Sequence, residues 1–326
     1  MRRREFALVL GGAVALWPRV LRAQQRAVPV IGLLASNSAA DFEPFVPAFR
    51  QGLEQSSFVE GRNVRIEYRW ADGHYDRLPG LAAELVRIPV AVLVATGVTA
   101  ALAAKASTTT IPVVFHTGGD PVKFGLVASL GRPGGNVTGV VSLNKILVPK
   151  QLELLHELVP KADVIAFLVN PNNGVVGFDT SNMREAAQAK GLGLQIVEAR
   201  NTTEIDTAFT SLLQRRARAL VVQVDPFLEG RHEQLARLAA RHGVPAIGAY
   251  PEFAAAGGLA SYGTSRADAY RLEGNYVGRI LKGERPADLP VQQSVKTELV
   301  INLKTAKALG ITVPSALLLR ADQIIQ

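Results

Sequence analysis

The stretch IPVVFHTGGDPVKFGLVASLGRPGGNVTGVVS, residues 111–142, decides how the chain is to be read. Ile111-Pro112-Val113-Val114-Phe115 is apolar at every position, as a strand must be when helices cover both faces of a parallel sheet. His116-Thr117-Gly118-Gly119-Asp120-Pro121 follows as a polar turn at the end of that strand. In open α/β sheets ligands bind outside the carboxyl ends of the strands, so this turn is a candidate site on topology alone. A helix is expected over about 122–130, a glycine- and proline-rich loop over 131–136, and another strand near 137–141.

The alternation continues in both directions. Upstream come a buried strand at 28–35 with the turn Ser36-Asn37-Ser38, a helix over 45–58, and a strand at 63–69. Asp76 is read as the cap of a helix with Leu78, Leu81, Ala82 and Leu85 on one face, and a strand at 90–95 leads through Thr96-Gly97-Val98-Thr99 into an alanine-rich helix. Downstream, helices are expected at 150–158, 181–190, 202–216 and 229–242, with strands at 164–169, 194–197, 219–224 and 245–249. A short strand in 257–263, a long helix at 266–281, a strand at 299–302 and a helix at 304–309 close the pattern. A chain of 326 residues exceeds the usual single core, so the class is α/β, with parallel strands in two successive βα halves of similar size.

Composition narrows the function. With 48% hydrophobic and 20% charged residues the chain is an ordinary soluble one. Its net charge of +8 suggests an anionic partner, but Arg2, Arg3, Arg4, Arg19 and Arg22 against Glu5 place half of that excess in residues 1–23. Without a basic stripe elsewhere, nucleic-acid binding is excluded as a function. The leader has a basic start, an apolar run over 6–17 too short to span a bilayer, and Leu21-Arg22-Ala23 before Gln24, which reads as an export signal cleaved near Ala23. Arg3-Arg4-Glu5-Phe6 resembles the twin-arginine pattern, with the Sec route left open. The chain has no cysteine, so it forms no disulfide and carries no lipid anchor of the lipoprotein kind. A freely diffusing periplasmic product is expected.

Catalytic signatures are missing. No GxxxxGK[ST], GxGxxG after a strand, GxSxG or HExxH occurs, and Gly131-Arg132-Pro133-Gly134-Gly135-Asn136 lacks the lysine of a phosphate loop. His74, His116, His156, His232 and His242 show no metal-ligand spacing. No catalytic residue, metal or cofactor is therefore assigned. Binding chemistry is better represented. The Thr96–Thr99 segment joins hydroxyls to backbone N–H groups at a helix start, suited to a carboxylate or to a plain N-cap. Asp225 ends a buried strand and suits either an ammonium group or a turn cap. Trp70, Phe227 and Tyr250 lie at strand ends, where aromatics suit a flat or apolar ligand or an interface between lobes.

Several motifs carry a resemblance. They are Ile66-Glu67-Tyr68-Arg69-Trp70-Ala71 with Tyr75-Asp76-Arg77-Leu78, Gly119-Asp120-Pro121-Val122, Arg132 through Gly139, Asn170-Pro171-Asn172-Asn173, and Leu299 through Ala306. Together with Ala23-Gln24-Gln25 they resemble the ABC-transporter substrate-binding family that includes tryptophan/tyrosine-type solute receptors. The resemblance implies a type I periplasmic-binding-protein fold, two Rossmann-like lobes with parallel sheets joined by a three-segment hinge, that closes on a small ligand and presents it, as a monomer, to an ABC permease. A receptor serving a membrane sensor is the alternative, and an enzyme on the same fold a more distant one. The lobes implied are 28–140 with 263–287, and 141–262 with 288–326, crossing near 139–143, 261–265 and 285–289. The ligand implied is an aromatic or hydrophobic amino acid or related carboxylate. Ser36, Asn37, Thr96, Gly97 and Thr99 are expected at its carboxylate, Asp225 at its amine, and Trp70, Phe227 and Tyr250 around its side chain. Asn170 and His116 are expected to orient it. Gly139 is expected to act in the first crossing, so that a β-branched residue there alters closure more than stability.

Overall fold

The computed structural model describes residues 28–142 and 144–326, and within these the side chains of all but 144–146. The export signal at 1–23 and Leu143 of the first crossing lie outside the described residues. The first five strands are β1 (Val30–Ala35), β2 (Arg65–Trp70), β3 (Val92–Thr96), β4 (Val113–Thr117) and β5 (Val137–Ser142). Then follow β6 (Val164–Val169), β7 (Gly193–Glu198), β8 (Ala219–Val222), β9 (Ala246–Gly248), β10 (Ala260–Thr264), β11 (Gln292–Ser294), β12 (Thr297–Asn302) and β13 (Gln323–Ile325). They form two sheets, ordered β11-β5-β4-β3-β1-β2 and β13-β12-β10-β9-β8-β6-β7. Every pairing is parallel except β10 with β12.

The buried runs explain this architecture. β1, β3, β4 and β5 are buried at every position, and their alternate residues feed two cores. Leu34, Leu93 and Phe115 pack with Leu78 and Leu85 on one face, while Ile31, Leu33 and Val94 pack with Phe49, Tyr276 and Val277 on the other. The second sheet repeats the arrangement: Phe167 lies with Leu152 and Met183, Leu168 with Phe209 and Leu235. Helix Arg266–Leu281 packs against helix Val46–Glu54 of the first lobe at backbone distance. A Cβ on Gly52 would fall 2.0 Å from the Arg271 carbonyl oxygen, and one on Gly274 would fall 2.1 Å from that of Phe49.

The chain passes between the sheets after β5, after β10 and after β11. The third passage thus falls between Ser294 and Thr297, not near 285–289, because β11 runs parallel to β5 and extends the first sheet by one edge strand. Three other expectations need correction. Residues 122–130 form no helix; Pro121 and Gly125, at φ 66°, turn the segment so that Leu126 donates its N–H back to the Pro121 carbonyl. Asp76 caps nothing with its side chain, since a 3₁₀ turn at Tyr75–Arg77 precedes helix Leu78–Arg87. Gly139 is not a free pivot: it lies inside β5, where a Cβ would fall 2.1 Å from the Phe115 carbonyl oxygen of β4.

Candidate functional site

The carboxyl ends of both sheets converge on one cavity. From the first lobe, Asn37 after β1, Thr96 to Val98 at the end of β3, His116 to Gly119 at the end of β4 and Ser142 at the end of β5 line it. From the second come Asn173 after β6, Val224, Pro226 and Glu229 after β8, and Tyr250 after β9. Arg266 and Tyr270, on the helix that follows β10, complete the lining.

The first wall is made of uncharged donors. Ser36 Oγ donates to the Thr96 carbonyl at 3.3 Å and Thr96 Oγ1 to the Leu34 carbonyl at 3.4 Å, which ties the ends of β1 and β3 together. Gly97, at φ 96°, makes the turn into helix Val98–Ser107 and donates its N–H to the His116 carbonyl at 2.8 Å. The first bond of that helix runs from Ala101 N–H to the Gly97 carbonyl, and among the described residues no side chain caps the helix. The N–H groups of Val98, Thr99 and Ala100 therefore precede the helical ladder, and the positive end of the helix favours a carboxylate. His116 Nε2 lies 2.9 Å from Ser142 Oγ, and its ring stands edge-on to Tyr270 with centroids 5.2 Å apart. Burial, reinforced by the nearby Arg266 charge, lowers the His116 pKa to about 4, so the imidazole is neutral at pH 7.

The second wall is acidic. Asp225 is fully buried and serves as a hub. It caps helix Pro226–Glu229 through Leu228 N–H at 2.9 Å and accepts from Asn173 Nδ2 at 2.8 Å and Asn170 Nδ2 at 3.2 Å. It also accepts from the Tyr75 hydroxyl of the first lobe at 2.5 Å. Burial raises its pKa, and these donors oppose the rise. Glu229, four residues on, faces the cavity; burial pushes its carboxyl up to about 7 against the pull of Arg266.

Arg266 joins the two walls. Its guanidinium lies between the rings of Phe45 and Tyr250, 4.2 and 4.0 Å from their centroids, and pairs with Glu229 at 3.2 Å and Glu252 at 2.9 Å. Its side chain keeps only 13% of its surface exposed, and such a desolvated, doubly stacked cation is worth far more than one in water. The lobes also meet elsewhere. Lys123 Nζ sits 5.4 Å from the Phe178 ring centroid, and Phe227 fills the space beside Gly73.

Of the residues singled out from the sequence, Asn37, Thr96, Gly97, His116 and Tyr250 come together around the cavity. The others stand outside its lining. Ser36 is spent on the β1–β3 lock, Thr99 faces Gly174 from one residue further into its helix, and Asn170 and Asp225 lie behind the second wall. Phe227 belongs to the core of the second lobe. Trp70 stacks on Tyr68 at 5.4 Å and leans on Phe42 at 5.3 Å, half-buried on the edge strand β2 against the core of the first lobe. The aromatic surfaces of the cavity are Tyr250 and Tyr270. Arg266, Glu229 and Tyr270 were missed because all three lie in predicted helices, where a charge reads as solvated and an aromatic as core. The available signal was the crossing near 261–265: a residue directly after a passage between lobes is bound to stand at the cleft.

Comparison with known proteins places the chain among relatives. Residues 38–325 match the family described as ABC transporter substrate binding protein. A tyrosine-binding protein of Clostridioides difficile (strain R20291) is 26% identical over 268 residues, which cover 82% of this chain and 77% of that protein. The crystal structure of an ABC domain in complex with L-Trp from Streptococcus pneumonia is 26% identical, with a TM-score of 0.84 over 91% of this chain and 99% of that one. The ligand-free, open structure of a substrate binding protein with adhesive properties from Clostridium difficile is 25% identical over 92% of this chain and 100% of that one, yet its TM-score is 0.64. At nearly equal identity, the lobes here superpose better on the liganded relative than on the open one.

Proposed function

The chain belongs to the ABC transporter substrate binding protein family, and we propose that it is the periplasmic receptor of an importer for an aromatic or hydrophobic amino acid or a related carboxylate. The family is one of receptors, not of enzymes; its members are generally exported and bind small molecules on behalf of ABC transporters. Among the described residues no helix is long and apolar enough to cross a membrane. In this reading the protein works as a monomer and releases its ligand unchanged.

The observation that carries the reading is the cavity formed where both sets of strand ends meet, with donors on one wall and acids on the other. In this reading the ligand carboxylate meets the start of helix Val98–Ser107, and its apolar body lies between Tyr250 and Tyr270 with Val98, Val175 and Val224, all of which line the cavity. A ligand that touches both lobes binds the shut form more tightly than the open one, and that difference drives closure about the three crossings. The contrast between TM-scores of 0.84 and 0.64 supports such a movement.

Calorimetry across the amino acids and a set of aromatic carboxylates tests this. Heat with at least one aromatic or hydrophobic member is expected, together with a smaller radius of gyration by small-angle scattering. No heat from any member removes the reading.

A further inference from the structure

Two carboxylates stand close to the ligand cavity, and they differ in what their oxygens already hold. Asp225 accepts from the Tyr75 hydroxyl, Asn173 Nδ2, Leu228 N–H and Asn170 Nδ2. A carboxylate offers about four acceptor sites, so these donors use what it has. It is also fully buried and outside the cavity lining. Glu229 lines the cavity, and its Oε2 accepts from Arg266 Nη1 at 3.2 Å.

Among the described residues the charge balance around Glu229 is incomplete. Arg266 divides its guanidinium between Glu229 and Glu252, so one cation serves two acids. Glu252 Oε2 is buried with no hydrogen-bond partner, and Phe45 and Tyr250 cover both faces of the guanidinium. Asp41, Asp225 and Glu252 add negative potential at Glu229, and Arg266 opposes them; the Tyr250 hydroxyl beside them stays protonated, and the His232 ring lies against the Glu229 carbonyl oxygen, its Nδ1 2.8 Å away. Burying carboxylates without enough cations is costly, and a cation brought by the ligand would offset that cost.

We propose that Glu229, and not Asp225, receives the ammonium group of an amino-acid ligand, with Arg266 holding the Glu229 carboxylate at the cavity wall and Asp225 fixing the loops behind it. The assignment rests on reading the cavity as an amino-acid site. The ligand then spans the cleft, with its carboxylate on the neutral wall and its ammonium on the acidic one. Below pH 7 a proton on Glu229 must leave before the ammonium can pair, so affinity for the amino acid falls with pH.

The test uses L-tryptophan and L-tyrosine against indole-3-propionate and 3-(4-hydroxyphenyl)propionate, which keep the ring and carboxylate and lack the amine. By calorimetry the wild-type protein is expected to bind one amino acid at least about tenfold more tightly than its amine-free analogue, as a charge-assisted hydrogen bond implies. That preference should shrink between pH 8 and pH 6. Glu229→Gln is expected to lose about tenfold or more for the amino acid and little for the analogue, and to lose the pH dependence of the preference. Equal losses for both ligands, or no loss, overturn the assignment while leaving the receptor reading intact. So does a wild-type preference for the analogue, or a preference that does not change with pH, neither of which depends on the variant folding. If no amino acid binds the wild-type protein, the amino-acid reading and the assignment fall together.

Discussion

The two walls of the cleft are built from the same kind of strand end and reach opposite electrostatic states. On the first wall β1, β3, β4 and β5 deliver hydroxyls, a neutral imidazole and a helix start without a side-chain cap among the described residues. On the second, β6 and β8 deliver amides gathered around Asp225, with Glu229 one helical turn beyond. The difference lies in what satisfies each helix start: helix Val98–Ser107 follows a glycine and has no side-chain cap, whereas helix Pro226–Glu229 is capped by a carboxylate. An uncapped start keeps its positive end for a ligand, and a capped one has consumed it. The walls are therefore complementary in sign, which suits a ligand carrying both charges.

Three perturbations break or sharpen this contrast. Gly139→Val should have the largest effect, because the new side chain drives β5 away from the Phe115 carbonyl and takes the first wall with it. A loss of at least about 3 kcal/mol is expected, read as a lower urea midpoint. A variant as stable as the wild type would show that this wall does not depend on the β4–β5 contact.

The walls should also respond to acid in opposite directions. His116 has its pKa lowered to about 4 from 6.5, so the fold favours the neutral ring. That contribution is complete above pH 6.5 and is lost as pH falls towards 4, up to about 3 kcal/mol in all. Glu229 and Asp179, raised to about 7 and about 6 chiefly by burial, behave in reverse. Their contribution is complete below pH 4 and is lost as pH rises through those values. In His116→Gln the carboxylates remain, so the variant should gain on the wild type in denaturation experiments between pH 7 and pH 4. A difference independent of pH would mean that the imidazole is not held neutral.

The smallest effect is expected from Tyr75→Phe. It removes the first-lobe donor to Asp225 and leaves three donors from the second lobe, so the wall survives and the contact between lobes weakens by about 1–2 kcal/mol. Small-angle scattering without ligand should show a larger mean radius of gyration, with the urea midpoint nearly unchanged. Identical scattering would remove Tyr75 from the closure.

Much of the fold was legible because its central strands are solid apolar runs, and only a sheet covered on both faces makes such runs stable. β11 was not legible. Gln292-Gln293-Ser294 is short and polar, and it is a strand because β5 offers an unpaired edge. The helix expected at 122–130 failed for the converse reason: its apolar spacing is suitable, but Pro121 and Gly125 impose turns, and Leu126 and Val127 reach the core without a helix. In the site, the residues read from strand-end turns divided. Asn37, Thr96, Gly97, His116 and Tyr250 reached the cavity, while Trp70 packs half-buried against the first-lobe core and Phe227 joins the core of the second lobe beside Gly73. An aromatic ring at a strand end can turn either way, and its neighbours decide.

By itself the sequence determined the alternation of strands and helices and the strand ends at which a ligand would be met, because both depend on periodicity and turn chemistry within a few residues. Only the tertiary structure decided the electrostatics of the cleft. Whether Asp225 faces a ligand depends on Tyr75, 150 positions away, and whether Arg266 is solvated or buried depends on Phe45, Glu229, Tyr250 and Glu252 meeting around it. A side chain's local pattern sets which face of its element it occupies, but its charge state and its free hydrogen-bonding capacity are set by partners that only folding brings within reach.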